Sequence, residues 1–164
     1  MNRMELLLHE LEITTETEDW YPPLHVALEG VTAVQASWRP QGEAANTIWE
    51  TANHLLFYKE RLLKQLTVGY TNPQGMTNDD TFAVDAAPDD EAAWQATRER
   101  LVAVHRDLHA LLSSMPEEAF DRPHPTRPLG LMVTSIVLHD ACHTGQIVMI
   151  RKLQGSWPAR RLSE

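Results

Sequence analysis

The chain has 164 residues, of which 43% are hydrophobic and 23% charged, so its composition excludes a disordered chain and predicts one domain over residues 1–164. It carries 14 Lys and Arg against 23 Asp and Glu, and the resulting net charge of -9 opposes binding to a nucleic acid. Eight His accompany a single Cys, which excludes an internal disulfide and directs any metal site to imidazole or carboxylate ligands.

The first predicted helical segment is interrupted by Pro22-Pro23. Proline lacks an amide hydrogen and fixes φ, so we predict one arm of a helical bundle in two pieces. Thr32 and Gln35 then have the spacing of a capping box. The apolar residues at helical spacing on the two sides of the break are Met4, Leu7, Leu8 and Leu11, then Leu24, Ala27, Leu28 and Val31.

The same N-terminal region is not typical of a targeting signal. Its apolar stretch 6–8 is short and is bordered by Glu5, His9 and Glu10. No stretch of the chain approaches the roughly 20 apolar residues of a membrane-spanning helix. With one Cys and no export signal, we expect a cytoplasmic protein without a membrane partner.

The second predicted helix covers residues 46–66, where apolar residues recur at spacings of three and four. Gly69 and Asn72-Pro73 end it. The connection 72–88 that follows has little periodicity and is long for a bundle loop. We expect it to be either a crossover strap or the rim of a site.

The third and fourth helices complete the pattern. The third starts near residues 88–91, where acidic groups meet the positive end of the helix dipole, and its apolar seam recurs every seven residues. The proline-rich segment 116–128 is a connection, and the fourth helix covers 129–154. No strand-like alternation is present. The sequence therefore predicts an all-α four-helix bundle with a long crossover connection.

Two histidines of the fourth helix are candidate metal ligands. His139 and His143 are four residues apart, which places both imidazoles on one helix face. The alternative interpretation is a pair of core histidines that hydrogen-bond to the protein. A second pair with the same spacing, His105 and His109, has Arg98 and Arg106 near it, so we expect that pair on a solvated face.

His54 in the second helix is the best third ligand. If the second and fourth helices pack with these faces inward, His54 completes a three-imidazole site with His139 and His143. Three protein ligands leave coordination positions for water or substrate, as in reactive metal sites. The groups that could orient the imidazoles are Glu50, Asp140 and Gln146. Asp140 could equally face solvent, and Glu50 could be only a first-turn helix residue.

Other site patterns are absent from the sequence. There is no H-E-x-x-H motif, no Glu-x-x-His pair of a di-iron bundle, no phosphate-binding glycine loop and no G-x-S-x-G elbow. Cys142 lies beside His143, but a lone Cys in an apolar helix is expected to be a small buried hydrophobe rather than a nucleophile.

The chain resembles the DinB/YfiT-like superfamily. The resemblance is carried mainly by one segment of the fourth helix, His139-Asp140-Ala141-Cys142-His143-Thr144-Gly145-Gln146-Ile147, which is similar to the family's last-helix signature. Supporting segments are Asn46-Thr47-Ile48-Trp49-Glu50, Asn53-His54-Leu55, Val31-Thr32 and Trp38-Arg39-Pro40. One departure is Asn46, where many members have His.

The resemblance implies a four-helix bundle with a crossed connection, often a homodimer, in which three His bind a divalent metal. Those positions map onto His54, His139 and His143. Relatives include S-transferases that use bacterial low-molecular-weight thiols and a mycothiol-dependent isomerase, whereas many members have no assigned activity.

The function expected from these features is a metal-dependent transferase. The three His would bind Zn²⁺ or Ni²⁺, and a low-molecular-weight thiol would attack a small electrophilic substrate. The alternatives are a non-catalytic metal-binding or stress-response dimer, and a bundle whose His cluster is vestigial. A thiol that carries carboxylates would need a cationic rim, for which the candidates are Lys59, Arg61, Arg127 and Arg151.

Overall fold

The computed structural model describes residues 1–42, 44–124 and 126–158, so the last six residues of the predicted domain lie outside the described chain. The described residues form α-helices, two short 3-10 turns and no strand, apart from an isolated bridge between Pro123 and Pro128. The helices are α1 (Arg3–Thr15), α2 (Leu24–Leu28), α3 (Ala33–Ser37), α4 (Ile48–Val68), α5 (Glu91–Ser113) and α6 (Leu129–Leu153). The predicted all-α class is confirmed.

Four long helices form the bundle, in the order α1, α6, α4, α5 around its axis. α4 and α5 run parallel, because Trp49 and Trp94 meet near their first turns and Glu60 pairs with Arg100 farther along. α6 runs antiparallel to α4, because His54 meets His143 while Tyr58, one turn later on α4, meets His139, one turn earlier on α6. The four-helix bundle predicted from the apolar periodicity is therefore present.

Local capping explains where α4 and α5 begin and where α4 ends. Thr47 and Glu50 form a reciprocal capping box that satisfies amide groups at the start of α4. Asp90 accepts a hydrogen bond from the Ala93 amide at the start of α5. Gly69 ends α4 with a φ of 69°, a left-handed conformation that favours glycine.

The first helical segment differs from the prediction in the length of its break. α1 ends at Thr15, well before Pro22-Pro23, and the chain resumes with two helices of five residues each. Thr14 donates its hydroxyl to the carbonyl of Leu11, and Thr15 turns inward to bond Lys59, so buried polar contacts accompany the end of α1. The predicted capping box of Thr32 and Gln35 is confirmed at the start of α3.

The apolar core is divided into two clusters by a polar layer. One cluster surrounds Trp49 and Trp94, whose indole N–H groups bond Thr97 and the Val31 carbonyl. The other includes the apolar residues Leu11, Leu62, Leu108, Phe120 and Val133. Three polar residues, one on each of α4, α5 and α6, lie between the two clusters along the helices and are fully or almost fully buried. They are Lys59, His105 and Asp140.

The connection between α4 and α5 is both a crossover strap and a border of the candidate site. Because α4 and α5 are parallel, the chain between them must cross back along the bundle. On the way it forms a 3-10 turn, Asp79–Phe82, that packs against α4 beside His54. The connection is thus a crossover strap that also borders the candidate site. Among the described residues, none of the helices has the length and apolarity required to cross a membrane.

Candidate metal centre

Three imidazoles converge between α4 and α6. His54 comes from the first half of α4, and His139 and His143 are one turn apart on α6. Their candidate ligand atoms all lie within 4.8 Å of one another, and the Nε2 atoms of His54 and His139 are 2.9 Å apart. The three positions singled out in the sequence therefore meet at one point.

The strap orients the imidazole of His54. Thr81 donates its hydroxyl hydrogen to the Asn78 carbonyl, so its oxygen is available as an acceptor for the Nδ1–H of His54 at 2.5 Å. With Nδ1 protonated, the neutral ring has its lone pair on Nε2, which is the atom that faces His139. Thr81 thus selects the tautomer that a metal ligand requires.

Gln146 has the same effect on His143. Its side-chain oxygen lies 2.7 Å from Nδ1 of His143, and an amide oxygen only accepts hydrogen bonds. In the neutral form of His143 this contact places the proton on Nδ1 and leaves the lone pair of Nε2 free. The third ring differs: Nδ1 of His139 is buried and has no hydrogen-bond partner among the described residues.

The charge state of the cluster suits a metal ion. Burial, together with the charges of the neighbouring imidazoles, lowers the pKa of His54 to about 4. Burial, His143 and Lys59 lower the pKa of His139 to about 4. Both rings are therefore neutral at pH 7, which is the form that binds a cation. Two neutral imidazoles and the neighbouring imidazole of His143, whose Nδ1 is bonded to Gln146, are a donor set that fits Zn²⁺ or Ni²⁺.

Aromatic side chains enclose the cluster on the strap side. Phe82 stacks on His54 with ring centroids 3.8 Å apart, and Tyr58 meets the rings of His54 and His139 edge-on at 4.9 and 5.0 Å. His54 is buried, whereas His139 and His143 are half-buried. The cluster is therefore more exposed on the α6 side than on the α4 side.

Asp140 contacts neither solvent nor the cluster directly. Its side chain is fully buried, and its Oδ2 atom lies 2.8 Å from Nζ of Lys59, which is also fully buried. Burial raises the pKa of Asp140, and the Lys59 ammonium acts in the opposite direction. The suggested solvent-facing position is wrong, because the α6 face after His139 turns into the polar layer. Asp140 supports α6 behind the cluster.

Glu50 is a helix-capping residue rather than a partner of the imidazoles. It closes the capping box with Thr47 and pairs with Arg39, contacts that occupy both of its carboxylate oxygens.

Two expectations about exposure are wrong. His105 is 1% exposed, with its Nε2 atom 3.4 Å from a carboxylate oxygen of Glu12. It lies four residues after Leu101 and three before Leu108, so the seam of α5 turns it inward despite the nearby arginines. His109 is half-buried. Cys142 is exposed rather than buried, because it lies on the face of α6 opposite the core.

Sequence reasoning missed three residues that shape the site. Tyr58 could have been found, since it follows His54 by one helical turn on the same face. Thr81 and Phe82 had no signal, because they belong to a connection without periodicity.

Two cavities lie along the bundle, and none of the three clustered His is among the lining residues of either. The larger of these two, about 520 Å³, lies between the end of α1, α2 and α5. The second, about 460 Å³, lies between α4 and α6 and is lined by Tyr58, the residue that contacts His54 and His139. The second cavity, the α4/α6 cavity, therefore adjoins the candidate metal centre.

Comparison with known proteins gives one family match. The model of the DinB superfamily matches residues 21–147, which include all three clustered His. No curated protein and no solved structure gives a significant match.

Proposed function

This chain belongs to the DinB superfamily, and from that premise we propose that His54, His139 and His143 bind one divalent cation, Zn²⁺ or Ni²⁺, in a metal-dependent thiol S-transferase. The observation that carries the proposal is the convergence of the three imidazoles, two of which have Nδ1 bonded to Thr81 or Gln146. The candidate ligand atoms of the three rings lie within 4.8 Å of one another, and the hydrogen bonds at Nδ1 of His54 and His143 leave the Nε2 atoms of these two rings for a cation.

The protein side chains supply the ligands, their orientation and the exclusion of water. Three protein ligands are the number found in catalytic zinc sites, which keep positions open, whereas structural zinc sites have four. When bound, the cation would lower the pKa of a coordinated thiol and so supply a thiolate at neutral pH. Phe82 and Tyr58 exclude water from the strap side, and the half-buried α6 side admits the substrate.

The thiol would come from a small molecule rather than from the chain. The one cysteine, Cys142, is exposed on the outer face of α6, away from the bundle interior. In the transfer, the thiolate sulfur forms a bond to an electrophilic carbon of the substrate. The leaving group departs with the electron pair of the bond that breaks.

A conjugation assay tests the catalytic part of the proposal. Metal-loaded protein is incubated with cysteine, bacillithiol or mycothiol and a model electrophile, and the same reactions are run with the His143→Ala variant. We expect thiol conjugation that requires both the metal and His143. Full metal occupancy without turnover of any of these thiols would contradict a transferase and favour the alternative, a non-catalytic metal-binding protein.

We also propose that the protein forms a homodimer through α6. This helix exposes apolar side chains along one stripe, with spacings that keep them on a single helical face. The stripe comprises Leu131, Leu138, Met149 and Leu153, and Cys142 lies within it. A second copy of the chain would bury this stripe. A cytoplasmic location stays a prediction from the single Cys.

A further inference from the structure

The α4/α6 cavity and the larger cavity differ in the charged residues of their walls. Arg61 and Arg127 line it, and no Asp or Glu is among its described lining residues, in a chain with 23 acidic and 14 basic residues. The larger cavity, in contrast, has Glu16, Glu29 and Glu99 in its wall beside its arginines. The α4/α6 cavity therefore combines positive charge with the absence of a competing carboxylate.

The two arginines are also available to a ligand. Within the described residues neither forms an ion pair, and the Nε atom of Arg61 is buried without a hydrogen-bond partner. Arg127 makes one long hydrogen bond, 3.3 Å, to the hydroxyl of Ser135. Arg61 lies over the ring of Tyr58 at 5.8 Å from the ring centroid, which connects it to the His cluster.

The other two candidates for a cationic rim, Lys59 and Arg151, already have partners within the protein. Lys59 is fully buried against Asp140, and Arg151 donates to the carbonyl groups of Ala27 and Ser156. Arg61 and Arg127 are thus the members of that set with unused charge.

The rest of the cavity wall is partly polar and partly apolar. Gln65 lines the cavity, and its side-chain oxygen is buried without a hydrogen-bond partner among the described residues. The apolar part of the wall comes from Leu62, Met132 and Ile136.

Helix geometry sets the distance between the cavity and the cluster. Arg61 follows His54 by seven residues on the same side of α4, which corresponds to roughly 10 Å along the helix axis. Tyr58 lies between the two and contacts the imidazoles. A molecule that spans both features must be elongated.

We propose that the α4/α6 cavity binds the carboxylate or phosphate group of an elongated organic anion, either the substrate or the thiol, whose reactive end reaches the His cluster. Arginine matches both groups, because its planar guanidinium donates two parallel hydrogen bonds. The position of the reactive end rests on the proposed function, whereas anion binding by the arginines does not require the metal.

Binding of simple anions to metal-free and metal-loaded protein tests the proposal. The probes are succinate, inorganic phosphate and, as the neutral analogue of succinate, succinamide, each titrated calorimetrically at constant ionic strength. We expect succinate or phosphate to bind and succinamide not to bind, and the preferred anion identifies the group. Arg61→Met and Arg127→Met should each weaken binding by about tenfold or more, and Arg61→Lys should weaken it less.

Arg100→Met is the matched control, because it removes the same charge from the exposed surface of α5. Its affinity should equal that of the unaltered protein. Circular dichroism and metal content establish that each variant is folded and retains its His site. The proposal is overturned if neither anion binds, or if Arg61→Met and Arg127→Met bind the anions as Arg100→Met does. Anion binding by a protein that takes up no metal would refute the proposed function while leaving this inference intact.

Discussion

Nδ1 of His54 lies 2.5 Å from the hydroxyl oxygen of Thr81, so a residue of the crossover strap orients an imidazole of the bundle. The contact joins two parts of the chain that are 27 residues apart. It makes the candidate metal centre depend on the fold of the connection as well as on the packing of α4 against α6.

Removal of the Thr81 hydroxyl should weaken metal binding. Thr81→Val keeps the size of the side chain but deprives His54 Nδ1–H of its acceptor, so the required tautomer is no longer favoured. We expect a loss of about 10- to 100-fold in metal affinity, measured by competition with a chelator. Thr81→Ser restores the hydroxyl and should retain the affinity. Equal affinities for the Val and Ser variants would show that the strap does not orient His54.

The buried pair of Lys59 and Asp140 should be sensitive to the loss of one partner. Lys59→Met leaves the fully buried Asp140 carboxylate without its cation, and we expect a loss of about 3–5 kcal/mol in the free energy of unfolding. The double variant Lys59→Met with Asp140→Leu removes both charges and should recover much of this loss. Urea unfolding measures the free energy of unfolding of the single and the double variant. A double variant less stable than Lys59→Met would contradict the account.

The stability of the metal-free protein should fall with acidification between about pH 6.5 and pH 4. The pKa values of His54, His105 and His139 are each lowered to about 4, so in this window the unfolded chain binds protons that the folded chain does not. The contribution of these three histidines to the stability of the folded protein is complete above pH 6.5 and is lost as the pH falls toward 4. The contribution of His105 is roughly 3 kcal/mol at most.

His105→Gln should therefore reduce the slope of stability against pH, while His109→Gln, at the half-buried neighbouring position, provides the control. Urea unfolding at a series of pH values gives both slopes. An unchanged slope for His105→Gln would indicate that this buried histidine does not contribute to the acid sensitivity.

The apolar stripe of α6 predicts the oligomeric state. Leu138→Glu places a charge at a residue that is 65% exposed in the single chain and should convert a dimer to a monomer. Val34→Glu, at an equally exposed apolar residue of α3, should leave the dimer intact. Light scattering after size exclusion measures the mass, and a bismaleimide reagent should join two copies through Cys142. A monomer in the unaltered protein would refute the dimer.

Much of the fold could be predicted because it depends on local patterns. The seven-residue seam of α5 and the capping box of Thr32 and Gln35 are recognised by spacing alone. The expected convergence of His54 with His139 and His143 rested on the condition that the second and fourth helices pack with these faces inward, and on the family resemblance. The early end of α1 was not predictable, because it accompanies a tertiary contact between Thr15 and Lys59.

The features of the site that could not be predicted also depend on tertiary structure. Thr81 and Phe82 reach His54 only because α4 and α5 are parallel and the chain must return along the bundle. His105 is buried despite the arginines near it, because the apolar seam of α5 decides which face of the helix packs inward. The apolar residues of α6 surround the helix, so sequence does not distinguish the exposed side on which Cys142 lies.

The metal content of the purified protein tests the central claim most directly. Elemental analysis of the unaltered chain, of single His→Ala variants at 54, 139 and 143, and of His109→Ala as the control would establish both the ion and its ligands. We predict one equivalent of Zn²⁺ or Ni²⁺ in the unaltered chain and in His109→Ala, and a severe loss in each of the other three. Stoichiometric metal in each of the three single variants, as in His109→Ala, would contradict the account.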